Sequence, residues 1–254
     1  MLPNTQMMRL QDGRQVEFAR MGTGGPAVVL EAGGGLRMTT WKKVFPEIAA
    51  FTTVIAYNRA GFGRSGPAEA PRNGLTIVRE LRTFLHDLGV RPPHVLVGHS
   101  LGGLYMQLFA RLHPDEVAGL VLVDPTHPFI DAAHQRVEEL SPPGAAWAKL
   151  LGYLTKGFHA LVGPAAKAEL GALEESARAV LQAPPLIGVP VIILIAARQS
   201  ILLSRDQWAA AKEIQRGLLN TYPGCQWRPV NCGHAIHLFA AETVISAIRE
   251  SVFR

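Results

Sequence analysis

Cysteine, charge and long apolar runs are all scarce in this chain of 254 residues. Its 2 cysteines, Cys225 and Cys232, are too few for a disulfide framework in a domain of this size, so we expect free thiols. The longest apolar stretch, 189–197, is interrupted by Pro190 and is too short to span a membrane. Charged residues make up 18% of the chain and hydrophobic residues 48%, which indicates a folded domain with a core and excludes a disordered chain.

The chain also lacks the patterns that indicate a metal, a nucleic acid or secretion. It has no C-x-x-C pair and no His/Cys cluster with zinc-site spacing, so we expect no metal. The net charge is +5, but the arginines are scattered, which argues against a nucleic-acid partner. The first residues lack a basic segment followed by an apolar stretch, so the expected location is cytoplasmic. The sequence does not define the oligomeric state.

A G-x-S-x-G pentapeptide at 98–102 is the most informative feature that is present. The apolar run 95–97 predicts a strand before it, and 104–111 predicts a helix after it. A sharp strand-to-helix turn exposes the serine Oγ, and glycines on either side leave room for that turn. We therefore predict that Ser100 is a nucleophile and that the Leu101 amide, at the helix N-terminus, faces a developing oxyanion.

Apolar strands alternate with helices along most of the chain. The predicted strands are 7–10, 15–20, Ala27–Glu31, 53–57, 94–97, Val117–Val123, 189–196 and Gln226–Val230. The other predicted helices of this part are 42–51, 75–88, 205–219 and 237–252. The alternation predicts an α/β fold with a mostly parallel eight-stranded sheet and helices on both faces.

The pattern changes after the sixth strand. Prolines and glycines punctuate short helical stretches such as 145–154 and 165–181, and no clear strand pattern occurs between them. We predict a helical cap at 126–186, inserted into a core formed by 1–125 and 187–254. Long helical connections are the alternative interpretation.

These segments together resemble the α/β-hydrolase superfamily, in its serine esterase and lipase-like branch. The resemblance covers nearly the whole chain and is carried by the glycine-rich turn 31–35, the Arg/Gly loop 58–65, the turn around Ser100, the segment 122–125 and Gly233-His234. It implies an α/β-hydrolase fold, cofactor-independent cleavage of a small-molecule ester, and the chain order nucleophile, acid, histidine.

That order places the catalytic base in the loop after the last strand. His234 is the favoured base, and His237 is the alternative. Many relatives carry the acid after the seventh strand, but here that strand runs into 197–200, which contains no carboxylate. Asp124, directly after the sixth strand, is the predicted acid, because it could accept the Nδ1–H of His234 and fix the tautomer. Asp206 is the alternative, although it lies in the first turn of a predicted helix.

The remaining predictions concern the oxyanion hole and the substrate pocket. The glycine run aligned with that of relatives makes Gly34 the second oxyanion donor beside Leu101. Glu31 stands where relatives often carry a histidine, and anchoring of Glu31 by Arg59 or a backbone amide is favoured over a direct role. The predicted substrate-binding residues are Trp41, His99, Phe129 and Trp147.

The leading hypothesis is a serine hydrolase of carboxylic esters. Because one fold hosts many chemistries, a C–C bond hydrolase, amidase, lactonase or perhydrolase stays open. Ser100 argues against the aspartate nucleophile of haloalkane dehalogenases and epoxide hydrolases. A ligand-binding receptor with weak residual hydrolysis is the other hypothesis, and the missing carboxylate after the seventh strand is its main support.

Overall fold

Eight strands form one sheet in the computed structural model, which describes residues 2–129, 163–199 and 204–254. The strands are β1 (Thr5–Arg9), β2 (Gln15–Met21), β3 (Ala27–Glu31), β4 (Val54–Tyr57), β5 (His94–His99), β6 (Val117–Val123), β7 (Val191–Ala196) and β8 (Gln226–Val230). Their order is β1-β2-β4-β3-β5-β6-β7-β8. The β1–β2 and β2–β4 pairs are antiparallel and the others are parallel, which confirms the predicted fold class.

The central strands are buried along their whole length. Every residue of β3, β4, β5 and β7 is buried. Their sequences are nearly continuous apolar runs because a parallel sheet is covered by helices on both faces. The carboxyl ends of these strands meet at one edge, where the following loops come together.

Helices cover the two faces of the sheet. The described helices are α1 (Phe45–Ala49), α2 (Gly74–Asp87), α3 (Leu101–Leu112), α4 (Pro164–Gly171), α5 (Leu173–Gln182), α6 (Arg205–Thr221), α7 (Ile236–Phe239) and α8 (Ala241–Val252), with 3-10 turns at Met38–Trp41 and Pro114–Glu116. Buried side chains of α2, α3, α5 and α6 form the core on one face, and those of Met38–Trp41, α1 and α8 form the core on the other. The described part of the chain contains no helix long and apolar enough to cross a membrane.

Three predicted helices are shorter or broken in the structure. The prediction 42–51 reduces to α1, because Pro46 lacks an amide hydrogen and starts a helix rather than continuing one. The prediction 165–181 breaks at Ala172, and 237–252 breaks at Ala240. Gly171, a poor helix former, ends α4, so the first break has a local cause. Alanine is the best helix former, so tertiary packing and not local propensity causes the break at Ala240.

The described part of the predicted cap, 163–186, contains α4 and α5 and no strand. Helix α5 packs against α2 and α3, so this segment joins the helical layer beside the sheet. The limits 126–186 remain a prediction, and the helical stretch 145–154 lies outside the described residues. Cys225 and Cys232 are free, as expected.

Candidate active site

Ser100 occupies a strained turn between β5 and α3. Its backbone has φ +52° and ψ −123°, a conformation that costs energy for a residue with a side chain. The turn is held by neighbours: the Ser100 N–H donates to the Val123 carbonyl at 3.2 Å, and the Ser100 carbonyl accepts from the Thr126 N–H at 2.9 Å. Ser100 is half-buried and lies at the carboxyl end of β5, where the turn begins.

The two glycines of the pentapeptide are required by close backbone contacts. A Cβ on Gly98 would lie 2.5 Å from the Gly102 carbonyl oxygen. A Cβ on Gly102 would lie 2.5 Å from the Ala32 carbonyl oxygen. Because both obstructing atoms belong to the backbone, any side chain at either position would displace the turn that presents Ser100.

Asp124 lies directly after β6 and contacts His234. Its Oδ2 accepts from the His234 Nδ1 at 2.7 Å, while its Oδ1 accepts from the Ala196 N–H at 3.0 Å and the Gln215 Nε2 at 3.1 Å. Burial raises the pKa of Asp124, but the His234 hydrogen bond and the nearby charge of Lys212 outweigh it and hold that pKa below its usual value. Asp124 is therefore a carboxylate at neutral pH.

His234 lies in the loop after β8 with 58% of its side chain exposed. Because its Nδ1–H is committed to Asp124, its Nε2 carries the lone pair that can take a proton. Asp206, the alternative acid, is exposed in the first turn of α6. The absence of a carboxylate after β7 thus no longer supports the receptor hypothesis, because Asp124 already meets the histidine.

Two buried histidines lie behind His234. The His99 Nε2 donates to the His234 carbonyl at 3.1 Å, and the His99 ring lies 4.6 Å from the His234 ring and 4.3 Å from the His237 ring, centroid to centroid. The His237 Nε2 lies 2.6 Å from the Thr40 Oγ1, and its ring packs on Trp41. Burial lowers the pKa of His99 well below its usual value and the pKa of His237 to about 4, so both are neutral supports.

Of the four predicted substrate-binding residues, two are buried, one is half-buried and one lies outside the described residues. Trp41 is 0% exposed and His99 is 2% exposed, so both pack behind the site, and their role in substrate binding stays a prediction. Aromatic side chains near a site serve packing as readily as binding, and the sequence could not separate the two. Phe129 is half-buried, and its ring lies 3.3 Å from where a Cβ on Gly217 of α6 would stand. Trp147 lies outside the described residues.

The predicted oxyanion donors, Gly34 and Leu101, lie next to each other. A Cβ on Gly34 would stand 3.1 Å from the Leu101 Cδ2. The Leu101 N–H is the first of α3 and has no acceptor within its own helix, so it is available to an anion at the positive end of that helix. Among the described residues, neither amide donates a hydrogen bond to a protein acceptor.

A buried ionic cluster supports the loop after β3. The Arg59 guanidinium lies 2.6 Å from the Glu31 Oε1 and 2.8 Å from the Glu169 Oε2, and the Tyr57 hydroxyl donates to Glu31. Burial raises the pKa of Glu31, with Arg59 opposing it, whereas the two carboxylates hold the pKa of Arg59 well above its usual value despite burial. The contact between Arg59 and Glu31 confirms the expectation that Arg59 anchors Glu31. Glu169 was missed because no local pattern links it to a partner 110 positions away.

A metal centre has no support within the described ranges, where no group of three or more His, Cys, Asp or Glu side chains is arranged to hold an ion.

A family model described as the alpha/beta hydrolase family matches residues 28–247, which is most of the chain. The chain therefore belongs to the α/β-hydrolase family.

Solved structures share the fold over nearly the whole chain. An esterase from Thermogutta terrifontis, solved with malate bound, is 23% identical with a TM-score of 0.66, and the match covers 97% of both chains. An enol-lactonase from Burkholderia xenovorans LB400 is 15% identical with a TM-score of 0.65, covering 97% of this chain and 99% of that one. At these identities the likeness concerns the fold alone.

Curated relatives match in part. The uncharacterized protein YqjL of Bacillus subtilis (strain 168) is 37% identical over 106 residues, which is 42% of each chain. This chain spans less than half the length of the first curated relatives it matches.

Proposed function

We propose that this protein is a serine hydrolase that cleaves small-molecule carboxylic esters through an acyl-enzyme intermediate. The observation that carries the proposal is the 2.7 Å hydrogen bond between the His234 Nδ1 and the Asp124 Oδ2, at the same strand edge as the strained turn of Ser100. A serine hydroxyl is too weak an acid to attack unaided, and an imidazole fixed by a buried carboxylate is the base that such a serine needs.

The first half of the reaction forms the acyl-enzyme. The Ser100 Oγ attacks the carbonyl carbon of the ester while its proton passes to the His234 Nε2, and the Asp124 carboxylate stabilises the imidazolium. The negative charge that develops on the carbonyl oxygen is met by the amides of Leu101 and Gly34. The tetrahedral intermediate then collapses, and the proton on the His234 Nε2 moves to the departing alcohol.

The second half releases the acid. Water attacks the acyl carbon while the His234 Nε2 accepts its proton, and a second tetrahedral intermediate forms at the same oxyanion position. When it collapses, the proton returns to the Ser100 Oγ and the carboxylic acid leaves. The 58% exposure of the His234 side chain gives water access for this step.

The test is hydrolysis of p-nitrophenyl acetate and butyrate together with fluorophosphonate labelling. We expect Ser100→Ala to lose labelling and to lower kcat by at least about 10⁴-fold. Ser251→Ala is the matched control, because Ser251 is a buried serine of α8 that bonds the Ala247 carbonyl. Turnover by Ser100→Ala at the wild-type rate would overturn the proposal. Labelling of the wild type without steady turnover would favour the receptor.

A further inference from the structure

The Arg59 guanidinium is fully committed to hydrogen bonds. Its Nη1 donates to the Glu31 Oε1 at 2.6 Å and the Ala32 carbonyl at 2.8 Å. Its Nη2 donates to the Gly33 carbonyl at 3.1 Å and the Glu169 Oε2 at 2.8 Å, and its Nε donates to the Glu169 Oε1 at 2.8 Å. A guanidinium has about five N–H donors in a fixed fork, so every donor of this one has a partner.

The bond to the Gly33 carbonyl fixes the direction of the next amide. The Gly33 carbonyl and the Gly34 N–H belong to one planar peptide unit, and the unit is trans, so the two groups point in opposite directions. The Gly33 carbonyl is held on one side by the Arg59 Nη2 and by the Leu36 N–H at 3.2 Å. The Gly34 N–H is therefore turned away from Arg59.

The plane of the guanidinium is fixed as well. Phe62 lies 4.9 Å from the Arg59 Cζ and Tyr105 lies 5.6 Å from it, measured to the ring centroids. Glu169 binds Arg59 through both carboxylate oxygens, and that two-point contact sets an orientation that a single charge would not. Glu169 belongs to α4, within the predicted cap, and is 0% exposed.

We propose that Arg59 is a positioning residue for the oxyanion hole and that Glu169 is its anchor. Arg59 touches no substrate. It holds the Ala32 and Gly33 carbonyls so that the Gly34 N–H keeps the direction in which it meets the oxyanion beside the Leu101 N–H. The proposal rests on the proposed function, and it makes helix α4 a part of the catalytic framework, although α4 contributes no reacting group.

The test compares two buried arginines. Arg59→Lys keeps the charge but cannot make the five bonds at once, and we expect kcat to fall about 10- to 100-fold while KM changes less than about threefold. Affinity for an alkyl boronic acid, which forms a tetrahedral adduct on Ser100, should fall by about the same factor as kcat. Arg111→Lys is the matched control, because Arg111 is also buried and donates to two carbonyls, those of Val180 and Ala183. We expect that control to lower the melting temperature and to leave kcat and boronate affinity unchanged.

A folded Arg59→Lys variant with wild-type kcat overturns the proposal, and so does an equal loss of kcat in Arg111→Lys, since that would be a general effect of loosening a buried arginine. If Arg59→Lys does not fold, Glu169→Gln decides: we expect a loss of kcat of about 3- to 10-fold at unchanged KM, and an unchanged kcat overturns the proposal. A failure of the proposed function is distinct, because the wild type itself would then neither label at Ser100 nor turn over esters.

Discussion

Strands β6 and β7 lie side by side and end at the same edge of the sheet, but only β6 ends in a carboxylate. Asp124 follows β6, whereas Ala197 and Arg198 follow β7. The Asp124 carboxylate nevertheless contacts the end of β7 and the loop after β8. Its Oδ1 accepts from the Ala196 N–H at the end of β7, and its Oδ2 accepts from the His234 Nδ1–H in the loop after β8. Neighbouring strands are about 4.8 Å apart, a distance that one aspartate side chain can span. A carboxylate at the end of β6 can thus reach both the end of β7 and His234.

Replacing the Asp124 carboxylate after β6 should have the largest effect on kcat. We expect Asp124→Asn to lower kcat for p-nitrophenyl butyrate by about 10³- to 10⁴-fold, because the amide would favour the wrong tautomer of His234 and could not stabilise the imidazolium. Steady-state kinetics after a check of folding by circular dichroism measure this. Asp206→Asn, an exposed carboxylate on α6, should keep full activity. The reverse pattern would assign the acid to Asp206.

The end of β8 offers a second contrast, between exposed His234 and fully buried His237. Burial lowers the folded-state pKa of His237 to about 4, from the ordinary 6.5. Between these two pKa values the unfolded chain binds more protons than the folded chain. The free energy of unfolding therefore falls as the pH falls, by up to about 1.4 kcal/mol per pH unit.

Urea unfolding at about pH 7, 6 and 5 measures this slope. His237→Gln removes the group, and from about pH 7 to about pH 5 it should lose up to about 2 kcal/mol less stability than the wild type. Equal slopes for the wild type and His237→Gln would contradict the prediction.

A carboxylate placed after β7 instead of β6 tests whether the two strand ends are equivalent. In the Asp124→Asn background, we expect Ala197→Asp to recover about 10-fold in kcat, because a carboxylate would again stand at the strand edge near His234. Ala197→Asn in the same background is the control and should recover nothing. Kinetics on the same ester measure both. Equal activity of the two double variants would mean that the end of β7 cannot carry the acid.

Removing one hydrogen-bond donor to the Asp124 carboxylate should have the smallest effect on kcat. Gln215 is buried and donates from its Nε2 to the Asp124 Oδ1 at 3.1 Å. Gln215→Leu removes that donor, and we expect kcat to fall about 3- to 5-fold, the equivalent of about 1 kcal/mol. Gln226→Leu alters a glutamine that bonds Glu250 instead, and it should leave kcat unchanged. A Gln215→Leu enzyme with wild-type kcat would show that the Ala196 N–H, His234 and Lys212 suffice to hold the Asp124 carboxylate.

Much of the framework could be predicted from local sequence, and the exceptions have physical causes. Strands β3, β6 and β8 have the predicted limits, because buried parallel strands are short apolar runs with clear ends. The break after Gly171 has a local signal, because glycine disfavours a helix. The break at Ala240 could not be predicted, since alanine favours a helix. The contact of Asp124 with His234 could be predicted, because a strand end determines where a side chain can reach. The contact of Glu169 could not, because its partner is set only by how α4 packs.

Asp124 shares with Ser100 the rare positive φ, at +41°, and the backbone joins the two turns. The Thr126 N–H donates to the Ser100 carbonyl, and the Ser100 N–H donates to the carbonyl just before Asp124. The loop that carries Asp124 therefore also supports the turn that carries Ser100. A transfer of these two turns to another scaffold would therefore have to move 122–126 and 98–103 together, because each turn uses backbone hydrogen bonds from the other.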